Sequence, residues 1–113
     1  VNNFADLGFG GITTFNNDKG KFRSVTLRNI ELTAPYMHDG RFTTLEEVLD
    51  HYNQHVKPSP TLDGTLAGAY SDAANAGKYG LALTAQDKAD IIAFLKTLTD
   101  NEFITNPAHS NPF

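Results

Sequence analysis

Two stretches of the chain repeat apolar residues at helical spacing, and almost everything between them is polar, glycine-rich or broken by proline. In TTLEEVLDHYN, residues 43 to 53, Leu45, Val48, Leu49 and Tyr52 fall at i, i+3, i+4 and i+7, which is one face of a helix. Thr44 stands where an N-cap is needed, and Glu47 three residues later completes a capping box. Glu46, Glu47 and Asp50 come early, where the helix dipole favours negative charge, and KPSP at residues 57 to 60 stops the helix. In LTAQDKADIIAFLKTLTD, residues 83 to 100, Thr84 is the N-cap and Asp87 sits at the third helical position. Ile91, Ile92, Phe94, Leu95 and Leu98 then form a broad apolar stripe.

The remaining segments carry weaker signals. Residues 1 to 22 show no helical period and read as an irregular loop packed by Phe4, Leu7, Phe9, Phe15 and Phe22. RSVTLRNIEL, with Val25, Leu27 and Ile30 apolar, fits either a short extended piece or a turn of helix. TAPYMHDGRF is a turn region: Pro35 removes a backbone donor and pushes Ala34 out of the helical region, and Asp39-Gly40 offers a positive-φ site. Residues 57 to 80 form a polar connector rich in glycine and alanine, long enough to suggest a functional or mobile loop. The tail, NEFITNPAHSNPF, has proline stops and no period. No repeat and no β-rich segment is visible. The expected architecture is mainly α, two main helices with long loops, in one domain over residues 1–113.

Composition narrows the class. The 113 residues are 40% hydrophobic and 19% charged, ordinary for a globular domain, with a net charge of −4. Lys and Arg are scattered with no basic stripe, which argues against a nucleic-acid partner. No apolar run is long enough to cross a bilayer, and no signal-like segment opens the chain. The opening Val reads as the start of a processed or truncated chain. The absence of Cys forbids a disulfide and also forbids covalent attachment of a c-type haem by these residues.

Between residues 32 and 55 the chain concentrates Met, Tyr and His, all metal or haem-iron donors. Tyr52 lies on the apolar face of the first helix. It can be a core tyrosine whose hydroxyl finds a partner, or a phenolate ligand to haem iron in an apolar pocket. Met37 can fill a gap in a core or offer a thioether to iron, and His38 beside it can simply hydrogen-bond, hold a propionate or carry a proton. His51 and His55 share a helix face, yet lack the further ligands of a zinc site, and HExxH is absent because residue 52 is Tyr. Arg28 can clamp a carboxylate or anchor a loop. GFGG at residues 8 to 11 is too weak for a nucleotide loop, and no nucleophile elbow or Ser-His-Asp spacing is present.

The run TLRNIELTAPYMHDGRFTTLEEVLDHYN closely resembles the C-terminal haem domain of bacterial di-haem cytochrome c peroxidases and the related MauG proteins. LALTAQDKADIIAFLKTLTD resembles that domain's last helix, and NEFITNPAHSNPF resembles the ending found in Bacteroidetes-type versions. The resemblance extends over Phe22 to Phe113, with 57–80 matched least. It implies a partial cytochrome c-like haem domain, downstream of the Cys-x-x-Cys-His attachment motif, within a protein that reduces hydrogen peroxide to water at one haem and accepts electrons at the other. By itself such a portion is expected to be inactive and to hold no catalytic residue.

Further roles follow from the resemblance alone. Tyr52 falls where the peroxidases place a Met ligand to the C-terminal haem iron and where MauG places a Tyr. Met37 occupies a position that is often Phe in relatives, which makes it packing rather than ligand. Thr33 and Pro35 match positions whose backbone carbonyls help hold a calcium ion between the haem domains, and His38 and Arg28 become candidates for contact near the haem or its propionates. The implied cofactors are haem c and calcium. The implied partners are the rest of the di-haem protein, hydrogen peroxide and a small electron donor such as a cytochrome c or cupredoxin, with a homodimer left open. The implied location is the periplasm, with any signal or lipid anchor upstream. Two other readings stand beside this one: a MauG-like enzyme that oxidises a protein side chain, and a haem-free binding or structural fragment.

Overall fold

The structure is a computed structural model that describes residues 5–68 and 78–110. The part of the connector at 69–77 and the expected packing of Phe4 lie outside the described residues. The described residues contain five α-helices and no strand longer than an isolated bridge. They are α1 (Gly10–Thr13), α2 (Leu45–Gln54), α3 (Gly64–Gly68), α4 (Ala85–Thr97) and α5 (Asn101–Thr105).

Both predicted helices form where their caps lie. Glu47 N–H donates to Thr44 Oγ1 at 3.2 Å, and Thr44 N–H donates back to Glu47 Oε2 at 3.1 Å. At α4 the same reciprocal pair joins Thr84 and Asp87, at 3.1 and 2.9 Å. Each box satisfies amide groups that have no partner inside the helix. On α2 the buried row is Leu45, Leu49 and Asn53, while Val48 and Tyr52 are only half-buried beside it. No residue of α4 is buried. Ile91, Ile92 and Leu95 are half-buried against α2 and the 30–32 turn, and Phe94 faces outward.

The undecided segment before the turn has no regular structure over residues 23–27 and ends in a 3₁₀ turn at Ile30–Leu32. It is tied to the end of α4: Asn29 N–H donates to Leu98 O at 3.0 Å, and Asp100 N–H donates to Asn29 Oδ1 at 2.6 Å. The 34–42 turn has a cis Ala34–Pro35 bond and closes with Tyr36 N–H on Phe42 O at 2.7 Å. Gly40 takes the positive φ expected of it. Tyr36 is buried, and its hydroxyl donates to Ile30 O at 2.9 Å, so the turn is stitched to the 3₁₀ segment.

Two expectations need correction. Leu7, Phe9, Phe15 and Phe22 do not pack a loop core. They are exposed, Phe15 at 69% and Phe9 at 52%. The 57–80 connector is not all loop, since Gly64–Gly68 form α3; in the aperiodic tail, Asp100 caps α5 through Phe103 N–H at 2.9 Å, and Asn106 caps a further 3₁₀ turn. These helices are too short for a periodic signal, so their caps are the whole of their sequence signature.

The buried apolar side chains among the described residues are Tyr36, Leu45 and Leu49. The radius of gyration is 17.2 Å, against about 13 Å for a compact domain of this length. The chain is 18 Å through its thinnest dimension and 53 Å along its longest. It is a thin, capped shell with large apolar side chains on open faces.

Candidate functional site

The second half of α2 and the 34–42 turn bring the candidate donors together. Tyr52 is half-buried, and its hydroxyl points at Met37 Sδ at 3.9 Å. A thioether is a weak acceptor, so a phenol so placed keeps most of its capacity to bind something stronger. Met37 has a φ of 71°, a left-handed conformation that a side-chain-bearing residue adopts only when its surroundings hold it there. The turn closed by Tyr36 and Gly40 is what holds it: Gly40 N–H donates to Met37 O at 3.2 Å.

Aromatic rings surround this pair. His51 stands edge-on to Tyr52 at 5.5 Å and lies 5.3 Å from Phe42. Burial, with smaller contributions from Arg41 and His55, pushes the His51 imidazole below its ordinary pKa and keeps it neutral at pH 7. His38 is exposed and stacks on Phe22 at 3.8 Å, nearly parallel. His38 therefore adjoins Met37 in sequence and is held by Phe22 in space.

Arg28 is placed elsewhere. It forms an ion pair with Asp100 and lies over the Phe103 ring at 4.9 Å, in an open cavity of 260 Å³ that His109 also lines. The Phe103 amide, followed by Arg28, holds the Asp100 carboxyl below the usual range. Thr33 and Pro35 are exposed; the Thr33 hydroxyl donates to Ile30 O, and neither residue's carbonyl accepts a hydrogen bond from a described residue. Two free carbonyls are the donor type that calcium takes. His51 and His55 line one open cavity of 390 Å³, but His55 Nδ1 is bonded to Asp50 O at 3.1 Å. Among the described residues no three His, Asp or Glu side chains gather as a metal site.

Of the sequence candidates, then, Met37 and Tyr52 meet, His38 sits on the same turn, and Arg28, Thr33 and Pro35 lie outside that contact. Sequence reasoning missed Asn53, which is 1% exposed and is the largest side chain fully sealed in the described structure. Its signal was available in principle: Asn53 continues the i, i+4, i+8 row of Leu45 and Leu49.

The described residues form a half-open, mostly helical shell of the cytochrome c-like type. A solved MauG-like protein associated with microbial copper homeostasis has this fold, with a TM-score of 0.69 and 46% identity over 95% of this chain and 31% of its own. Cytochrome-c peroxidase IdrP1 of Pseudomonas sp. (strain SCT) is 37% identical over 97 residues, 86% of this chain and 22% of that protein. The methylamine utilization protein MauG of Paracoccus denitrificans is 30% identical over 93 residues, 74% of this chain and 24% of that protein. No protein-family model matches the sequence. The chain belongs to the bacterial cytochrome-c peroxidase and MauG family of haem proteins. It spans about a quarter or less of the length of the curated relatives it matches.

Proposed function

We propose that this chain is the C-terminal portion of a haem domain in a periplasmic di-haem peroxidase, and that Tyr52 is the axial ligand it offers to the haem iron. The observation that carries the reading is Tyr52, half-buried on α2, whose hydroxyl among the described residues meets the weak Met37 thioether. The residues fit the distal side of a c-type haem and not its attachment, since the chain has no Cys. Bound haem supplies the electron transfer and, in the intact protein, the reduction of hydrogen peroxide to water. Tyr52 would contribute a hard oxygen donor, Met37 a polarizable wall, and His38 a candidate hydrogen bond to a propionate. Arg28, tied to Asp100, holds the tail in place and is a candidate propionate contact only if that pair opens. The Thr33 and Pro35 carbonyls are proposed calcium ligands. Electrons are proposed to come from a small cytochrome c or cupredoxin.

A second reading, that the parent oxidises a protein side chain as MauG-like enzymes do, is favoured by Tyr52 itself, because a phenolate lowers the iron potential relative to a thioether. The test is on the haem-loaded protein. Tyr52→Phe is expected to change the ferric absorption spectrum strongly and Met37→Leu only slightly; equal changes would remove Tyr52 from the ligand role. Peroxide turnover with a cytochrome donor would favour the peroxidase, and its absence alongside oxidation of a protein substrate would favour the second reading.

A further inference from the structure

We infer that Asn53 is a positioning residue for Tyr52: by clamping the backbone of Leu83 it fixes the last turn of α2, and so the place of the phenol one residue before it. The inference rests on the reading of Tyr52 as an iron ligand.

Asn53 is only 1% exposed, and its amide closes a ring of two hydrogen bonds on one residue, 30 positions away in sequence. Nδ2 donates to Leu83 O at 3.1 Å, and Leu83 N–H donates to Oδ1 at 2.6 Å. The contact continues through the backbone. Leu81 N–H donates to Tyr52 O at 3.0 Å, filling one of the carbonyls that a helix C-terminus leaves without an internal partner. Gly80 lies so close that a Cβ there would stand 2.2 Å from Asn53 O, and its φ of 143° suits only glycine. Residues 80, 81 and 83 therefore grip residues 52 and 53 at three points.

An apolar residue at 53 would extend the Leu45–Leu49 row and bury well. A sealed amide costs free energy unless its bonds are made, and what it adds over Leu is direction. The bonds fix both the rotation of α2 and its register against 80–83. A ligand atom needs placement to within about 0.5 Å, which a helix end with unpaired carbonyls does not hold by itself.

The experiment uses the haem-loaded protein and the ferric absorption and resonance Raman features that Tyr52→Phe abolishes. Asn53→Asp keeps the shape but loses the donor to Leu83 O. It is expected to weaken and shift those features while haem content stays the same. Leu49→Ala, which destabilises the same helix without touching the clamp, is expected to leave them in place. If Asn53→Asp lowers the unfolding temperature as Leu49→Ala does and the features stay unchanged, Asn53 is structural only and the inference is overturned. Coupling is reciprocal, so a second measurement does not require any Asn53 variant to fold. Amide exchange at Leu81 and Leu83 is expected to speed up by about fivefold or more in Tyr52→Phe. Unchanged exchange there would also overturn the inference. If Tyr52→Phe leaves the spectrum as it was, it is the ligand reading that fails, a result separable from either of these.

Discussion

Consecutive residues on α2 meet different neighbours: His51 lies against Phe42, Tyr52 reaches Met37, and Asn53 is sealed against Leu83. These neighbours also set how the protein responds to acid. Burial depresses the His51 pKa, so the unfolded chain binds that proton more readily than the folded one. The resulting stability is full above ~6.5, the ordinary value, and is lost as pH falls through the lower folded value. Glu47, Asp87 and Asp100, held down first by the amides and hydroxyls they accept from, lose theirs only as pH falls below ~4. A series of unfolding temperatures from neutral to acid pH is expected to fall in two legs. His51→Gln is expected to remove the upper leg alone; a wild-type curve flat through that leg would contradict the assignment. At this scale the caps and the helix face that carries Tyr52 were legible in the sequence. Asn53 was legible only as the next position of the Leu45–Leu49 row; that its amide is sealed there depends on its partner at Leu83.

Helices α2 and α4 are specified twice over, by their apolar period and by their capping boxes, and both signals are local. Thr84→Ala is expected to cost about 1 kcal/mol by denaturant titration of the haem-loaded protein. Leu49→Ala, inside the small buried row, is expected to cost about 2–5 kcal/mol in the same titration. Near-equal losses would mean that the α2 row is less well packed than its burial implies. Gly80→Ala is expected to loosen α2 from the 80–83 segment, since the added methyl meets the Asn53 carbonyl; faster amide exchange at Leu81 would report it. The relative placement of α2 and α4 had no local signature. Lys88 to Asp50 at 2.6 Å and the Asn29 links to Leu98 and Asp100 depend on residues 38 to 71 positions apart.

The whole molecule is open where a self-sufficient domain would be closed. Ile12 is 82% exposed and Phe15, Val25 and Phe94 are also outward, while the buried apolar set among the described residues is small. Burial of apolar area is the main favourable term in folding, so a shell of this kind gains little of it unaided. The chain without haem is expected to be loosely packed, binding a hydrophobic dye and lacking sharp near-ultraviolet circular dichroism. A cooperative calorimetric transition in the haem-free chain would show that the shell stands by itself.

Periodicity and capping chemistry, which act within one turn or one helix, determined by themselves that the chain is mainly α, where its two principal helices begin, and which face carries Tyr52. The resemblance of residues 26 to 53 to haem-peroxidase domains pointed to the family. Tertiary structure alone decided that, among the described residues, the phenol meets Met37, Arg28 is drawn to Asp100 and Asn53 is the sealed polar residue. Those contacts join segments 15, 72 and 30 residues apart, and no local rule of spacing fixes a pairing across such distances.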